Sequence, residues 1–206
     1  MIPNQWYAIL PSSAVGNNDI VAVKRLNLEL ALFRTAQGKL GCVVDQCTHR
    51  GAALSGGKVV GECVACPFHA LEFNTSGKCT VVPANGKAST EDLTRFNVKS
   101  YLVREAHGII YLWNGDPAQA TKDLPFFEDH LDSSYVYSEM EDHWNTHYSR
   151  AIENQLDVVH VPIVHYNTIG RGNKRLINGP KVLWENGVLT TSANNEVDEG
   201  QKPKRP

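Results

Sequence analysis

The sequence predicts an α+β protein in which a β-rich first part precedes a shorter, mixed second part. Three observations carry this. Short stretches of β-branched and aromatic residues, separated by Gly, Asn and Ser, recur through the first 115 residues. The run Asn114-Gly115-Asp116-Pro117 then breaks that rhythm and marks a boundary, giving expected domains at 1–116 and 117–206. Beyond it stand one helix-period pattern and one hairpin signal.

The expected strands are 6–10, 20–23, 28–33, 41–45, 62–65, 71–73 and 80–82. Two longer ones, 97–104 and 108–113, flank Glu105-Ala106-His107 and read as a hairpin. Residues 118–134 read as a polar loop with an apolar patch at Leu124-Pro125-Phe126-Phe127, followed by a strand at 135–140. The clearest helix starts between Thr146 and Ser149 and runs through Ala151, Ile152, Leu156 and Val159, with Pro162 ending or kinking it. Asn186-Gly187, between Val182 and Thr190, supplies a type I′ turn. The tail from Gln201 has no pattern.

Composition sets outer limits. An apolar fraction of 42%, a charged fraction of 20% and a net charge of −2 describe an ordinary globular chain, without the basic excess of a nucleic-acid or membrane-surface binder. The first residues lack the basic and apolar regions of a secretion signal, and no apolar run is long enough to span a bilayer. A cytoplasmic protein with no nucleic-acid or membrane partner is expected.

Two segments carry the chemistry. Cys47-Thr48-His49 and Cys66-Pro67-Phe68-His69 each offer one thiolate and one imidazole, with sixteen residues between His49 and Cys66. The C-x-H opening is unlike the C-x₂₋₄-C of common zinc modules. It suits a [2Fe–2S] centre in which one iron takes two thiolates and the other two imidazoles. A zinc site from Cys47, His49, Cys63 and Cys66 is the competing metal reading and would leave His69 unused. Cys42 and Cys79 lie in apolar stretches and read as buried, inert thiols.

The segments CTHRGAALSGG and CPFHALEFNTSGKC resemble the Rieske domain of ring-hydroxylating oxygenases and their ferredoxins. The resemblance implies that Cys47, His49, Cys66 and His69 hold the cluster. Respiratory Rieske proteins carry a further cysteine in each loop, where this chain has Ala52 and Phe68, so that disulfide cannot form. Ala70-Leu71 also replaces a Gly-Ser pair and removes a hydroxyl donor. Fewer donors to sulfur place the expected potential near the low end of the Rieske range, about −150 mV.

A second pattern follows at Asn154, Asp157, His160 and His165. Asp157 and His160 are three apart and would share a helical face, and a helix ending at Pro162 would let His165 swing back beside His160. Two imidazoles and a carboxylate suit non-haem Fe(II). The stretch resembles the mononuclear-iron motif of the Rieske oxygenase large subunit, closest to the single-component demethylase type. That resemblance implies His160 and His165 as iron ligands, Asp157 behind the site, Asn154 near it, and a second, α+β domain of helix-grip type that is incomplete in this chain. The family's third ligand, a later carboxylate, has no counterpart among Glu185, Glu196, Asp198 and Glu199.

The expected function is thus that of a terminal oxygenase component. It would use O₂ to hydroxylate or oxidatively dealkylate a small aromatic molecule. Its [2Fe–2S] cluster and mononuclear Fe(II) would be fed by a separate NAD(P)H-dependent reductase or ferredoxin, in a homotrimer. No dinucleotide fingerprint appears, since Gly170-Arg171-Gly172 follows no clear strand. The alternative is a non-catalytic Rieske-type electron-transfer protein, holding one cluster and no second iron.

Overall fold

The structure, a computed structural model, describes residues 2–86, 89–120, 124, 134, 136, 138, 140, 142–171, 180–186 and 188–192. The chain divides into two compact units, 1–132 and 133–206. The first is all β. Its strands are β1 (Gln5–Pro11), β2 (Asp19–Arg25), β3 (Leu28–Arg34), β4 (Leu40–Val44), β5 (Lys58–Val60), β6 (Cys63–Ala65), β7 (Glu72–Asn74), β8 (Cys79–Val81), β9 (Val103–Ala106) and β10 (Ile109–Asn114). They pair antiparallel in three sheets, β1-β10-β9, β2-β3-β4 and β5-β6-β7-β8.

The run Leu30-Ala31-Leu32-Phe33 explains how these sheets stack. Alternate side chains of a strand point to opposite faces, so an unbroken apolar run marks a strand covered on both. All four residues are fully buried. Leu30 and Leu32 enter one core with Ile9, Ile110 and Leu112. Ala31 and Phe33 enter another with Val64, Leu71 and Phe73. In β4, Cys42 joins the first core and Val43 the second. The sheet β2-β3-β4 is therefore a middle layer, and each large apolar side chain it buries contributes about 1.5–3 kcal/mol. Gly41, opposite Phe33, leaves room for the ring, since an added Cβ would sit 2.6 Å from Phe33 Cζ.

Three strand expectations change. β5 was not among the expected strands; Gly57 lets the chain lie close against Ala65 and pair with β6. The stretch 97–104 is strand only from Val103. Before that it runs between two sheets, giving Lys99 O to Val44 N–H, Val98 N–H to Gly77 O and Tyr101 N–H to Cys42 O. The β9–β10 turn is His107-Gly108, both at positive φ (54° and 76°), so Glu105 and Ala106 belong to the strand.

The second unit contains α1 (Tyr148–Leu156), the short α2 (Val161–Val164) and a hairpin of β11 (Lys181–Glu185) and β12 (Val188–Ser192). Asn186, at φ 51°, takes the left-handed conformation that a type I′ turn demands. α1 ends at Leu156, five residues before Val161, and Pro162 sits in the first turn of α2, where its missing N–H costs nothing. The single long helix expected from Thr146 to Pro162 is thus two helices. The expected strand at 135–140, the patch at Phe126 and Phe127, the acids Glu196, Asp198 and Glu199, and the tail lie wholly or largely outside the described residues. No helix among the described residues is long and apolar enough to cross a membrane.

One ion pair pins β3 to the outer sheet. Arg34, 8% exposed, donates Nη1 and Nη2 to the two Glu105 oxygens at 2.7 and 3.1 Å and Nε to Val15 O at 2.9 Å. The guanidinium holds the Glu105 carboxyl below its usual range. A depressed folded value means the stabilisation is complete above the ordinary carboxylate range, about 4.3, and is lost as pH falls through the lower folded value. Glu105→Gln should cost about 1–2 kcal/mol at neutral pH, discounted for the partly exposed carboxylate, and should flatten the acid limb of stability in urea melts run from pH 7 downward.

Candidate metal centres

In the first unit two loops project from neighbouring strand ends, 47–52 after β4 and 66–71 after β6. They share one construction. In the first, Cys47 N–H donates to Ala52 O and Gly51 N–H to Cys47 O, both at 2.8 Å. In the second, Cys66 N–H donates to Leu71 O at 2.9 Å and Ala70 N–H to Cys66 O at 3.0 Å. The fifth residue of each, Gly51 and Ala70, has positive φ (74° and 54°). Each loop is thus a closed turn with a cysteine at its root. The histidine is third in one and fourth in the other.

This construction separates the donors by depth. Cys47 and Cys66 are 2% and 5% exposed, in the core with Leu54, Val64 and Phe73. His49 and His69 are exposed, with ring centroids 4.7 Å apart in an edge-on arrangement. Phe68 leans over His69 at 4.1 Å and is itself 62% exposed. Burial pushes the Cys47 thiol up, and the Cys66 thiol, within hydrogen-bonding reach, adds to it. Two buried thiols side by side below two surface imidazoles fit a group that takes two donors of each kind. Among the described residues, no three or more His, Cys, Asp or Glu side chains converge to hold a single metal ion. Cys63, needed for the zinc reading, instead has its sulfur 3.4 Å from Thr80 Oγ1. Cys42 is fully buried, and its thiol is pushed up to about 12 by burial alone. All five cysteines are free.

Several residues that hold these loops were not foreseen. Asp45 accepts from Ser55 N–H at 2.7 Å and from Ser55 Oγ–H at 2.6 Å, clasping the base of the first loop. Thr48 Oγ–H donates to Phe96 O at 2.6 Å. A Cβ on Gly57 would lie 2.0 Å from Ala65 O, so only glycine lets the exit of the first loop rest against the entry to the second. The pair Gly56-Gly57 was the available signal for that approach. The Asp45 and Thr48 bonds join residues whose closeness only the fold reveals.

In the second unit, Asp157 follows α1 in an extended conformation (φ −80°, ψ 102°). It does not share a helical face with His160, as the sequence suggested. Its Oδ1 instead accepts from Val159 N–H at 2.9 Å and His160 N–H at 3.3 Å, while Oδ2 lies 3.6 Å from His160 Nδ1. That nitrogen is buried with no hydrogen-bond partner inside 3.5 Å. His165 closes α2, and its ring centroid is 5.3 Å from that of His160. A histidine whose Nδ1 faces a carboxylate keeps Nε2 free as a lone-pair donor, which suits a divalent metal. Asn154 is exposed on α1. His147 caps α1, with Nδ1 2.9 Å from Ser149 Oγ, and Trp144 is 45% exposed.

The matched loops give a paired test. An added Cβ at Gly51 meets only Gln46 Nε2, at 3.4 Å, so Gly51→Ala is opposed by left-handed strain alone and should cost about 1 kcal/mol. Ala70→Gly removes the same strain and should be neutral or stabilising by up to about 1 kcal/mol, since the flexible unfolded glycine offsets part of the gain. Chemical melts of the two variants should therefore move in opposite directions or differ clearly in size.

Comparison with known proteins agrees with this geometry. Residues 5–119 match the family described as Rieske [2Fe-2S] domain. The chain is 32% identical over 200 residues to the oxygenase component of chloroacetanilide N-alkylformylase from Rhizorhabdus wittichii, covering 91% of this chain and 53% of that protein. It is 33% identical over 166 residues to the oxygenase component of dicamba O-demethylase from Stenotrophomonas maltophilia, covering 80% and 48%. A crystal structure of dicamba monooxygenase with non-heme iron and dicamba superposes with a TM-score of 0.75 at 26% identity, over 93% of this chain and 53% of that one. The chain spans about half the length of these relatives. The match to more than half of its residues settles the family: the chain belongs to the Rieske [2Fe-2S] proteins.

Proposed function

We propose that this chain is part of the terminal oxygenase component of a Rieske non-haem iron system. The observation that carries the reading is the coexistence, in one polypeptide, of paired thiol and imidazole loops with a separate His160–His165 pair backed by Asp157. The relatives named as oxygenase components support it. In this reading Cys47 and Cys66 hold the inner iron of the cluster and His49 and His69 the outer one. His160 and His165 hold mononuclear Fe(II), Asn154 lies near it, and a carboxylate from outside the described residues completes the site. The functional boundary is placed at 116/117, at the Asn114–Pro117 break, ahead of the 132/133 division between the compact units.

When bound, the mononuclear iron supplies O₂ chemistry, hydroxylating or oxidatively dealkylating a small aromatic molecule. The protein's own groups prepare that site. The Asp157 carboxylate, 3.6 Å from His160 Nδ1, favours the tautomer with its proton on that nitrogen and leaves Nε2 as the donor atom. The buried Cys47 and Cys66 keep water from the inner half of the cluster, while the exposed His49 and His69 face the direction of electron exchange. Electrons come from a separate NAD(P)H-dependent reductase or ferredoxin, and a homotrimer is the expected assembly. Five unpaired cysteines suit a reducing compartment such as the cytoplasm. A relay protein would have no use for the His160–His165 pair.

Purified and reconstituted anaerobically, the chain should carry two irons and two acid-labile sulfides, with a third iron bound by a longer chain that supplies the missing carboxylate. Cys66→Ser and His69→Ala should abolish the sulfide-linked colour, whereas His160→Ala should leave it intact and remove only the third iron. A count that stops at two irons in the longer chain would identify a relay. A colourless, sulfide-free zinc protein would contradict both readings.

A further inference from the structure

Residues 93–98 pack against the thiol-bearing core and touch the first ligand loop at one side chain. Thr94–Phe96 form a 3-10 turn, Leu93 and Phe96 lie partly buried against the core, and Val98 is within it. Hydrogen bonds fasten this strap to the neighbouring sheet. Val98 N–H donates to Gly77 O at 2.8 Å, and Asn97 Oδ1 accepts from Cys79 N–H at 2.9 Å. Gly77 permits this approach, since a Cβ there would lie 2.2 Å from Val98 O. Onto the anchored strap, Thr48 Oγ–H donates to Phe96 O at 2.6 Å.

We propose that Thr48 is a positioning residue, which ties the peptide between Cys47 and His49 to the strap and so fixes how the His49 imidazole is presented at the surface. The consequence for the cluster rests on the function proposed above, whereas the tie itself does not. A threonine side chain is stiff about χ1, so anchoring its hydroxyl also restrains its backbone. The hydrogen bonds that close the loop, and those from the His49 and Arg50 N–H groups to the Cys47 sulfur, all lie within the loop, whereas the Thr48 hydroxyl ties its tip to the strap. With the tie cut, the tip moves more freely and water reaches the imidazole side of the centre. Two ferric ions, two sulfides and two thiolates sum to zero charge, and one added electron makes the reduced centre negative. Water stabilises the charged state better, so loosening the tip raises the reduction potential.

Thr48→Val keeps the shape and removes the donor, and Thr48→Ser restores the donor on a smaller side chain. In hydrogen exchange on the purified chain, the amides of Cys47 and Gly51 should exchange severalfold faster in T48V and at close to the wild-type rate in T48S. In the cluster-loaded chain, T48V should bleach severalfold faster under an iron chelator and show a higher potential, with T48S restoring both. Unchanged exchange, bleaching and potential in T48V would overturn the proposal, as would T48S behaving like T48V. A wild-type chain that takes up no iron and sulfide would instead sink the cluster reading, and the exchange result would still decide whether the tie exists.

Discussion

Two thiols must sit side by side out of water while two imidazoles stay at the surface, and the first unit is arranged around that requirement. A lone buried thiol has only a desolvation problem, as Cys42 shows. The Cys47 thiol is raised by burial and, in addition, by the neighbouring Cys66 thiol. Such a pair is costly as thiolates unless something positive occupies the space above it. The paired loops bring the sulfurs from separate sheets to one place, and their closed turns carry the chain outward to His49 and His69 within two or three residues.

Rigid support beneath the loops follows from the middle sheet. Because β3 and β4 are buried on both faces, they transmit order from the outer sheet, held by Arg34 and Glu105, to the ligand-bearing core. Gly57, the Asp45–Ser55 clasp and the strap at 93–98 then fix the loops from three directions. The second unit is built differently. Tyr148, Ile152 and Leu156 form one stripe on α1, yet each is more than a third exposed, and Leu183 and Trp184 of the hairpin are likewise exposed. Among the described residues its order is local: a helix cap from His147, a side-chain turn at Asp157 and a tight turn at Asn186.

Much of this was legible in the residues. The C-x-H and C-x-x-H spacing announced the donors, the stretch 28–33 announced a strand, and Asn186-Gly187 announced the hairpin. What failed did so for physical reasons. Periodicity alone ran one helix from Thr146 to Pro162, but the Asp157 side chain takes the Val159 and His160 N–H groups in a local turn, so the first helix stops there. The stretch 97–102 has strand-like residues, yet it bridges two sheets and cannot form a regular ladder with either. β5 was hidden because its pairing depends on Gly57 lacking a Cβ, a contact with Ala65 that no local pattern encodes. Ala70 was visible only as a missing glycine, and its left-handed backbone appeared once both loops could be laid over one another.

Mössbauer spectroscopy of the ⁵⁷Fe-loaded, oxidised chain addresses the division of donors most directly. Two buried sulfurs on one iron and two exposed nitrogens on the other should give two quadrupole doublets of equal area and distinct isomer shift, the larger belonging to the imidazole-bound iron. One doublet, or two with the shifts of four-sulfur coordination, would contradict that division and with it the role of His49 and His69 as ligands of the outer iron.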